Sequence, residues 1–268
     1  MTPAVRAALD PHRRQRQNEL FEVAALLIEN SLTPDAGPIS DAASQCLSEP
    51  RVARRNASDA GREYWGYEIV DLRINLEEQQ HCRPRRAAAS GLVGILNVRV
   101  QEYVPNNPGM SGRCYDLIRG VQVDFRIETV VSIEGTRHPF RAAWHVDTHQ
   151  HAGTASTSVH PRFHIQLGGR GLEDVDDLIR GVFIPDAPRL PIMPLDGPLA
   201  IDFVLSNYCG VVWEDFRDME PRYGRMRAPA MQRYWRPYFQ ILAEASGRDS
   251  SVRRGDEAEL LLPNLGVI

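Results

Sequence analysis

Residues 141–170 read RAAWHVDTHQHAGTASTSVHPRFHIQLGGR and hold five of the chain's eight histidines. Apolar residues alternate with polar ones on both sides of a central AGTAST, namely Trp144 and Val146 before it and Phe163, Ile165 and Leu167 after it. A period of two predicts two strands with one apolar face each, joined as a hairpin. A slip of one residue would expose Trp144 and Phe163, so every acceptable register places the histidines on one face.

The histidines of this segment are His145, His149, His151, His160 and His164. In the tightest register the opposed pairs are His149 with His160, Asp147 with Arg162, and His145 with His164. Directly opposed Cβ atoms lie roughly 4.5–5.5 Å apart. The segment therefore predicts two histidine pairs with an Asp–Arg pair between them. A longer loop would shift the register by two residues, which changes the partners but not the faces.

Segments on both sides of this hairpin complete the predicted fold. The period of two recurs at residues 66–78, 92–104 and 120–133. Helical spacing is found at 17–32, 40–49 and, more weakly, 50–61, and again at 171–181, 199–209, 211–219 and 228–245. We therefore expect an α+β fold with a central antiparallel sheet of about five strands, an N-terminal helical segment, and C-terminal helices packed on one face of the sheet.

Local signals place the ends of these helices and the limits of each region. Asp10 and Pro11 mark a start for the first helix, and Asp196 with Pro198 marks a start after the sheet. Pro237 predicts an interruption of the last helix. We expect one domain rather than two, organised as an N-terminal helical segment at 1–62, an α+β core at 63–248 (sheet 64–168, proline-rich connector 181–198, helices 196–246) and a flexible tail at 249–268.

The composition excludes several classes of protein. The net charge of −4 creates no general field toward nucleic acid or an anionic membrane. No uncharged apolar run is long enough to span a membrane, and the N-terminus lacks the apolar core of a secretory signal. Cys46, Cys82, Cys114 and Cys209 are scattered without metal-binding spacing, which is typical of reduced thiols. All 31 basic residues are arginine, a usage typical of GC-rich bacterial genomes, and we expect a cytoplasmic bacterial protein without a membrane partner.

The first interpretation of the histidine face is a metal site. Imidazole is the commonest metal ligand, and His149, His151 and His160 could hold one divalent transition metal ion, such as zinc, with an open position for water. Asp147 would serve as a further ligand or as general base. The cation of Arg162 opposes this interpretation unless Asp147 neutralises it, and the spacing matches no established metal motif.

The second interpretation needs no metal. Arg162 would hold phosphate oxygens bidentately, while one imidazole of a pair such as His145 and His164 acts as base and the other as acid. Asp147 would orient a ring or the guanidinium group. The earlier strands carry one arginine each on the polar face, so a band of guanidinium groups could lead to the site: Arg73, Arg99 and Arg126.

The third interpretation is structural. The polar face of the hairpin would be solvated or covered. Asp147 and Arg162 would form an ordinary cross-strand pair that contributes roughly a few tenths of a kcal/mol to stability. This interpretation is the natural one for any single histidine. It is weaker for five, since paired imidazoles repel each other when protonated.

A second candidate region lies near the C-terminus, where arginines alternate with aromatic residues. Such a pattern can bind nucleic acid through phosphate contacts and base stacking, or a protein partner. The alternative is an amphipathic helix whose aromatic residues are core and whose arginines reach the surface. The candidate contact residues are Arg222, Arg225, Arg227, Arg233, Arg236, Tyr234 and Trp235.

Our working hypothesis is a metal-dependent hydrolase that acts on a phosphoester, either nucleic acid or nucleotide, at the histidine face. His149, His151 and His160 are the expected metal ligands, and Asp147, Arg162, His145 and His164 are the expected catalytic residues. The first alternative is a non-catalytic subunit of a larger assembly that binds protein or nucleic acid. The second alternative is a metal-free phosphodiesterase using histidine and arginine.

Overall fold

The computed structural model describes residues 3–54, 60–76, 88–104, 118–133, 135–148, 161–168, 172 and 190–246. The elements, in chain order, are α1 (Pro3–Glu29), α2 (Gly37–Gln45), β1 (Arg51–Val52), β2 (Glu63–Asn75), β3 (Ala88–Tyr103), β4 (Ile118–Ile133), β5 (Thr136–Thr148), β6 (Phe163–Leu167), β7 (Leu190–Pro191), α3 (Gly197–Tyr208), α4 (Gly210–Met219) and α5 (Pro221–Ser246). The predicted helix at 171–181, apart from Leu172, and the predicted tail at 249–268 lie outside the described residues.

The described strands form one seven-stranded sheet in which β1 to β7 follow each other in sequence order. All six neighbouring pairs are antiparallel. The α+β class and the antiparallel sheet agree with the prediction, and the five predicted strands correspond to β2 through β6. The two additional strands have only two residues each, too short to produce a detectable alternation. The predicted weak helix at 50–61 is wrong at its start, where Arg51 and Val52 pair with β2 instead.

A bulge in β2 reverses the alternation that its sequence predicts. The pairing with β3 shifts between Ile69 and Leu72, so both of these residues are buried while Val70 is 55% exposed. Asp71 has φ +55°, and its N–H donates to Oδ1 of Asn97 at 2.7 Å. This left-handed residue inserts the extra position. The strict period of two predicted over residues 66–78 groups Val70 with Leu72 on the apolar face, and this placement of Val70 is wrong.

The long helices continue through prolines that the sequence suggested as boundaries. α1 begins at Pro3 and contains Pro11, so the predicted start at Asp10 is wrong. α5 contains Pro229 and Pro237 and is not interrupted. A proline inside a helix removes one backbone hydrogen bond, and the buried residues on both helices supply the packing that maintains the helices. The cap at Asp196 is confirmed, since its Oδ1 accepts from the N–H of Leu199 at 3.1 Å.

The core lies on the face of the sheet formed by the inward residues of β2 to β6, and it includes residues of all the helices. α3 packs directly against β4 and β5. The indole Nε1 of Trp144 donates to the hydroxyl of Tyr208 at 2.8 Å, and the Phe125 and Tyr208 rings lie 4.9 Å apart. These contacts fix one face of β5, so its opposite face carries the polar residues of the histidine segment. No helix in the described ranges is both long and apolar enough to cross a membrane.

Candidate functional site

The register of β5 and β6 places the polar residues of both strands on one face. Asp147 lies opposite His164, and His145 lies opposite Gln166. The predicted pairs of Asp147 with Arg162 and His145 with His164 are wrong by two residues, because the connection between the strands is longer than the tightest hairpin allows. The shift preserves parity, so His145, Asp147 and His164 share a face as the alternation predicts.

This face is closed to water at β6. His164 is 1% exposed and Gln166 is 8% exposed. The side chains of His145 and Asp147 on β5 are 14% and 20% exposed. An imidazole with 1% exposure has lost nearly all of its hydration, which costs free energy unless its polar atoms bind other groups.

The three side chains lie close enough to act on one another. Nε2 of His145 is 3.6 Å from Oδ2 of Asp147, an electrostatic contact rather than a hydrogen bond. The rings of His145 and His164 lie 6.3 Å apart between centroids, edge to face at 79°. We call His145, Asp147 and His164 the histidine cluster.

The neighbouring strand β4 supplies amide and carboxylate groups beside the cluster. Asp124 lies opposite His145, and Gln122 lies opposite Asp147. Nε2 of Gln122 donates to Oδ2 of Asp124 at 2.9 Å, which orients that carboxylate. Nδ1 of His145 is buried and has no hydrogen-bond partner among the described residues. The site thus encloses an imidazole nitrogen that makes no hydrogen bond to the described residues.

The other predicted metal ligands cannot be placed. His149, His151 and His160 lie outside the described residues. Within the ranges that are described, no group of three or more histidine, cysteine, aspartate or glutamate side chains is arranged to hold a metal ion. The histidine cluster by itself is therefore a pair of imidazoles and a carboxylate in contact, not a formed coordination shell.

The predicted guanidinium band is balanced by acidic side chains. Nε of Arg99 lies 2.8 Å from Glu68, and Nε of Arg126 lies 3.1 Å from Glu128. The exposed Arg73 also lies on β2. Arg162 precedes β6, with its guanidinium carbon 5.7 Å from the centroid of Phe163. A band that would attract phosphate is thus replaced by ion pairs along the sheet.

The arginine–aromatic region of α5 is divided between interior and surface. Tyr234 is 1% exposed and Arg233 is 9% exposed, so neither reaches a partner outside the fold. Three more of the candidate residues bind within the chain: Arg222 to Glu29 and Glu220, Arg227 to Asp202, and Trp235 to the carbonyl of Pro194. Arg225 and Arg236 are exposed. The aromatic residues are largely core, as the amphipathic alternative expects.

A buried group of charges between α1, α5, β3 and the start of α3 was not predicted. We call it the ionic cluster, and its members are Arg16, Glu19, Glu102, Asp196, Arg233 and Tyr234. Arg233 binds Glu19 through two contacts of 2.8 and 2.5 Å and Asp196 at 3.1 Å. Arg16 binds Glu102 at 3.3 Å, and the hydroxyl of Tyr234 donates to the same carboxylate.

Burial dominates the protonation chemistry of this cluster. Loss of hydration, reinforced by the negative charge of Glu102, raises the pKa of Tyr234 well above its ordinary value. Tyr67, whose hydroxyl accepts from the N–H of Gly197 at 2.9 Å, also has its pKa raised by burial. Both phenols remain protonated at neutral pH. The only sequence signal was the polar residue type, because the partners lie up to 214 positions apart.

Comparison with known proteins adds no relative to this description. No protein-family model, curated protein or solved structure matches the chain. The function is therefore argued from the chemistry of the histidine cluster and its surroundings.

Proposed function

We propose that this protein is a phosphoester hydrolase, acting on nucleic acid or a nucleotide, whose centre is the histidine cluster of β5 and β6. The observation that carries the proposal is the grouping of two imidazoles and one carboxylate on a face where His164 is 1% exposed, with His145 in contact with Asp147 and 6.3 Å from the ring of His164. A buried imidazole pair gains little from packing that an apolar pair would not supply. Titratable groups gathered in partial burial are typical of functional sites.

The cluster contains the groups that acid–base hydrolysis needs. An imidazole titrates near neutrality, so one ring can accept a proton from water while the other donates one to a leaving oxygen. Asp147 contacts His145 and would stabilise that ring when it is protonated.

We propose a divalent transition metal, with zinc as the first candidate, as the cofactor of this centre. Imidazole nitrogen and carboxylate oxygen are the donors that such ions prefer. The expected ligands are His149, His151 and His160, which lie outside the described residues, with Asp147 as a further ligand or general base. Asp124 adds a second carboxylate beside His145. These acids favour a cation over a free anion and so support the metal-dependent form over the metal-free form. A bound metal would polarise the phosphoryl oxygen and lower the pKa of its water.

The test measures hydrolysis of bis(4-nitrophenyl) phosphate and of a single-stranded oligonucleotide. Wild type is compared with His145→Gln and His164→Gln, and with His138→Gln as a matched control. His138 is an exposed histidine on the same strand β5. Loss of a general acid or base typically reduces the rate by about 10²–10⁴-fold. We expect kcat/KM to fall at least about 100-fold in the two cluster variants and to change less than about twofold in the control. Equal activity in all four proteins, or none in the wild type, rejects the proposal.

Metal content decides between the two catalytic forms. Elemental analysis of the purified chain should show about one equivalent of transition metal, reduced in His149→Gln but not in His138→Gln. Activity that persists with less than about a tenth of an equivalent supports metal-free histidine catalysis instead. The arginine clamp of that form would then be tested with Arg162→Gln.

The alternative of a non-catalytic binding subunit is favoured by one surface. α5 exposes Arg225 and Arg236, and Phe239 on the same helix is 50% exposed. Exposed basic and aromatic residues together are typical of nucleic-acid contacts. Fluorescence anisotropy with a single-stranded oligonucleotide tests this at low salt. Binding that is lost in Arg236→Glu and unchanged in His145→Gln would support the subunit; no binding by the wild type would reject this nucleic-acid form.

Thiol usage supports the cytoplasmic location that belongs to this proposal. Cys46 is a buried free cysteine. Unpaired buried thiols are typical of proteins in a reducing compartment. Thiol titration of the unfolded chain under non-reducing conditions should recover four free thiols, the number of cysteines in the sequence.

A further inference from the structure

A polar cavity of about 290 Å³ lies at the outer edge of β2, remote from the histidine cluster in the sheet order. Its walls come from the end of α2 and the segment that follows it, from β1, and from the edge of β2. Gln45, Ser48, Glu49, Trp65 and Gly66 are among the lining residues. The volume is near the lower end for small-molecule sites, so a ligand of one or two residues in size would fit.

At Gly66 the outer edge of β2 has no hydrogen-bond partner among the described residues. Residues of an antiparallel strand direct their N–H and C=O alternately to the two sides. The C=O of Arg62 accepts from Ala53 on the outer side at 2.9 Å, and the N–H of Glu68 donates outward to Oε1 of Gln45 at 2.8 Å. Gly66 has the same parity, so its N–H and C=O also face outward.

The unpaired position at Gly66 lies between two positions of the strand edge that do have partners. β1 pairs with β2 only as far as Arg51, which lies opposite Tyr64. Beyond the gap, Gln45 covers Glu68 by accepting from its N–H and donating Nε2 to its C=O at 3.5 Å. Between these two partners, Gly66 forms part of the cavity wall. The strand edge is thus covered before and after this residue.

The side chain of Gln45 shows which chemical group fits such an edge. Its carboxamide donates one hydrogen bond and accepts another from the two backbone groups of a single residue. A ligand amide placed at Gly66 would repeat that pattern, in the way an extended peptide adds to a sheet edge. A carboxylate or an ester offers only half of this pattern.

Trp65 places an indole next to the cavity. The residue is 4% exposed and belongs to the cavity lining. Its Nε1 has almost no accessible surface, so a ligand in the cavity would change the surroundings of the indole without bonding to this nitrogen.

We propose that the cavity at Gly66 is a binding site for a small ligand that carries a carboxamide or peptide group. Such a group would donate to the C=O of Gly66 and accept from its N–H. The site does not depend on the proposed hydrolase activity. An amide presented by a free small molecule and one presented by a peptide segment share this chemistry, and the length of the probe distinguishes them.

The test follows the indole signals of the four tryptophans by NMR of protein labelled with ¹⁵N at Nε1, with Trp65→Phe identifying the Trp65 signal. N-acetylglycinamide is the first probe. Its methyl ester analogue lacks an amide donor, and an acetylated, amidated triglycine represents a peptide segment. Ser48→Trp fills the cavity from an exposed position, and Ser44→Trp is the matched control on the exposed side of α2. Gly66 itself is unsuitable, since a Cβ would collide with the carbonyl oxygen of Val100.

We expect N-acetylglycinamide to shift the Trp65 signal with a Kd on the order of 1–10 mM, as suits so few non-hydrogen atoms. The shift should persist in Ser44→Trp, be absent in Ser48→Trp, and weaken at least fivefold with the ester. Binding of the triglycine about tenfold tighter than the single residue identifies a peptide segment, and equal binding identifies a small molecule. No shift, equal shifts in both tryptophan variants, or equal binding of ester and amide overturns the proposal.

Discussion

The two sides of the sheet both bury polar groups, but with different chemistry. On the helical side, the ionic cluster pairs Arg16 and Arg233 with carboxylates that are each less than a tenth exposed. On the opposite side, the histidine cluster contains two imidazoles, and His145 and Asp147 retain 14% and 20% exposure. Arginine keeps its charge at every accessible pH, whereas imidazole changes charge near neutrality. Permanent paired charges suit a connection between elements, whereas imidazoles that can donate or accept a proton suit chemistry.

The ionic cluster connects elements that lie far apart in the sequence. Arg233 of α5 joins Glu19 of α1 and Asp196, the residue that caps α3. Asp196 therefore binds both an arginine and the N–H of Leu199. A buried ion pair is often no more stable than an apolar replacement, but losing one partner leaves an uncompensated charge. The comparison predicts large effects from single substitutions on the helical side and small ones on the other.

The largest effect is expected from Arg233→Met. Two buried carboxylates, Glu19 and Asp196, would lose their cation, and we expect the free energy of unfolding to fall by about 3–5 kcal/mol. Urea unfolding followed by circular dichroism measures this. Arg236→Met on the exposed side of the same helix is the matched control, with an expected change within about 0.5 kcal/mol. A loss below about 1 kcal/mol in Arg233→Met would show that the ionic cluster does not hold α5 to α1 and to the start of α3.

A smaller effect is expected from Tyr234→Phe. The hydroxyl donates to the buried carboxylate of Glu102, and a hydrogen bond to a charged group contributes about 1.5–3 kcal/mol. Glu102 keeps its contact with Arg16, so the loss should lie in that range. Tyr238→Phe provides the control, because Tyr238 is also buried on α5 but the described structure gives its hydroxyl no hydrogen bond. Equal losses in both variants would mean that packing, and not the bond to Glu102, sets the cost.

Much of the sheet could be predicted from the sequence because alternation is a local property. Trp144, Val146 and Phe163 had to share a face whatever the loop did, and the register confirms this. The partners across the hairpin were wrong by two residues since loop length is not a property of the strands. The bulge at Asp71 depends on one left-handed residue and on Asn97 in the next strand. Nothing in the local pattern of β2 reveals it.

The ionic cluster could not be predicted for a different reason. Arg16 and Glu102 lie 86 positions apart, and each belongs to an element whose pattern is satisfied without the other. The sequence offered Arg233 and Tyr234 as contact residues, and only the alternative of an amphipathic helix placed the aromatic residues in the core. The contact with Glu19 reverses the placement of Arg233 as a contact residue. Buried charges are set by tertiary partners, so their residue type is visible in the sequence while their pairing is not.

Alkaline pH offers a third test of the helical side. Burial raises the pKa of Cys46 from 9.0 to about 12. Between these values the unfolded chain releases a proton that the folded chain keeps, so stability is complete below pH 9 and is lost as the pH approaches 12. The expected slope is about 1.4 kcal/mol per pH unit.

Urea midpoints measured across this range should decline from about pH 9 in the wild type. In Cys46→Ala the decline should begin near pH 10, where the raised pKa values of Tyr67 and Tyr234 take effect. Identical profiles would contradict the assignment to Cys46.

The smallest change in stability is expected from His164→Leu. Leucine restores an apolar side chain at a position that is 1% exposed, and it leaves no permanent charge without a partner. His145 and Asp147 keep their contact at 3.6 Å and their residual access to water. We therefore expect the free energy of unfolding to change by less than about 1 kcal/mol, while phosphodiester hydrolysis is lost. A loss of about 3 kcal/mol or more would place His164 in the same structural class as Arg233. The ionic cluster and the histidine cluster would then no longer differ in role, because both sides of the sheet would depend on buried polar contacts for stability.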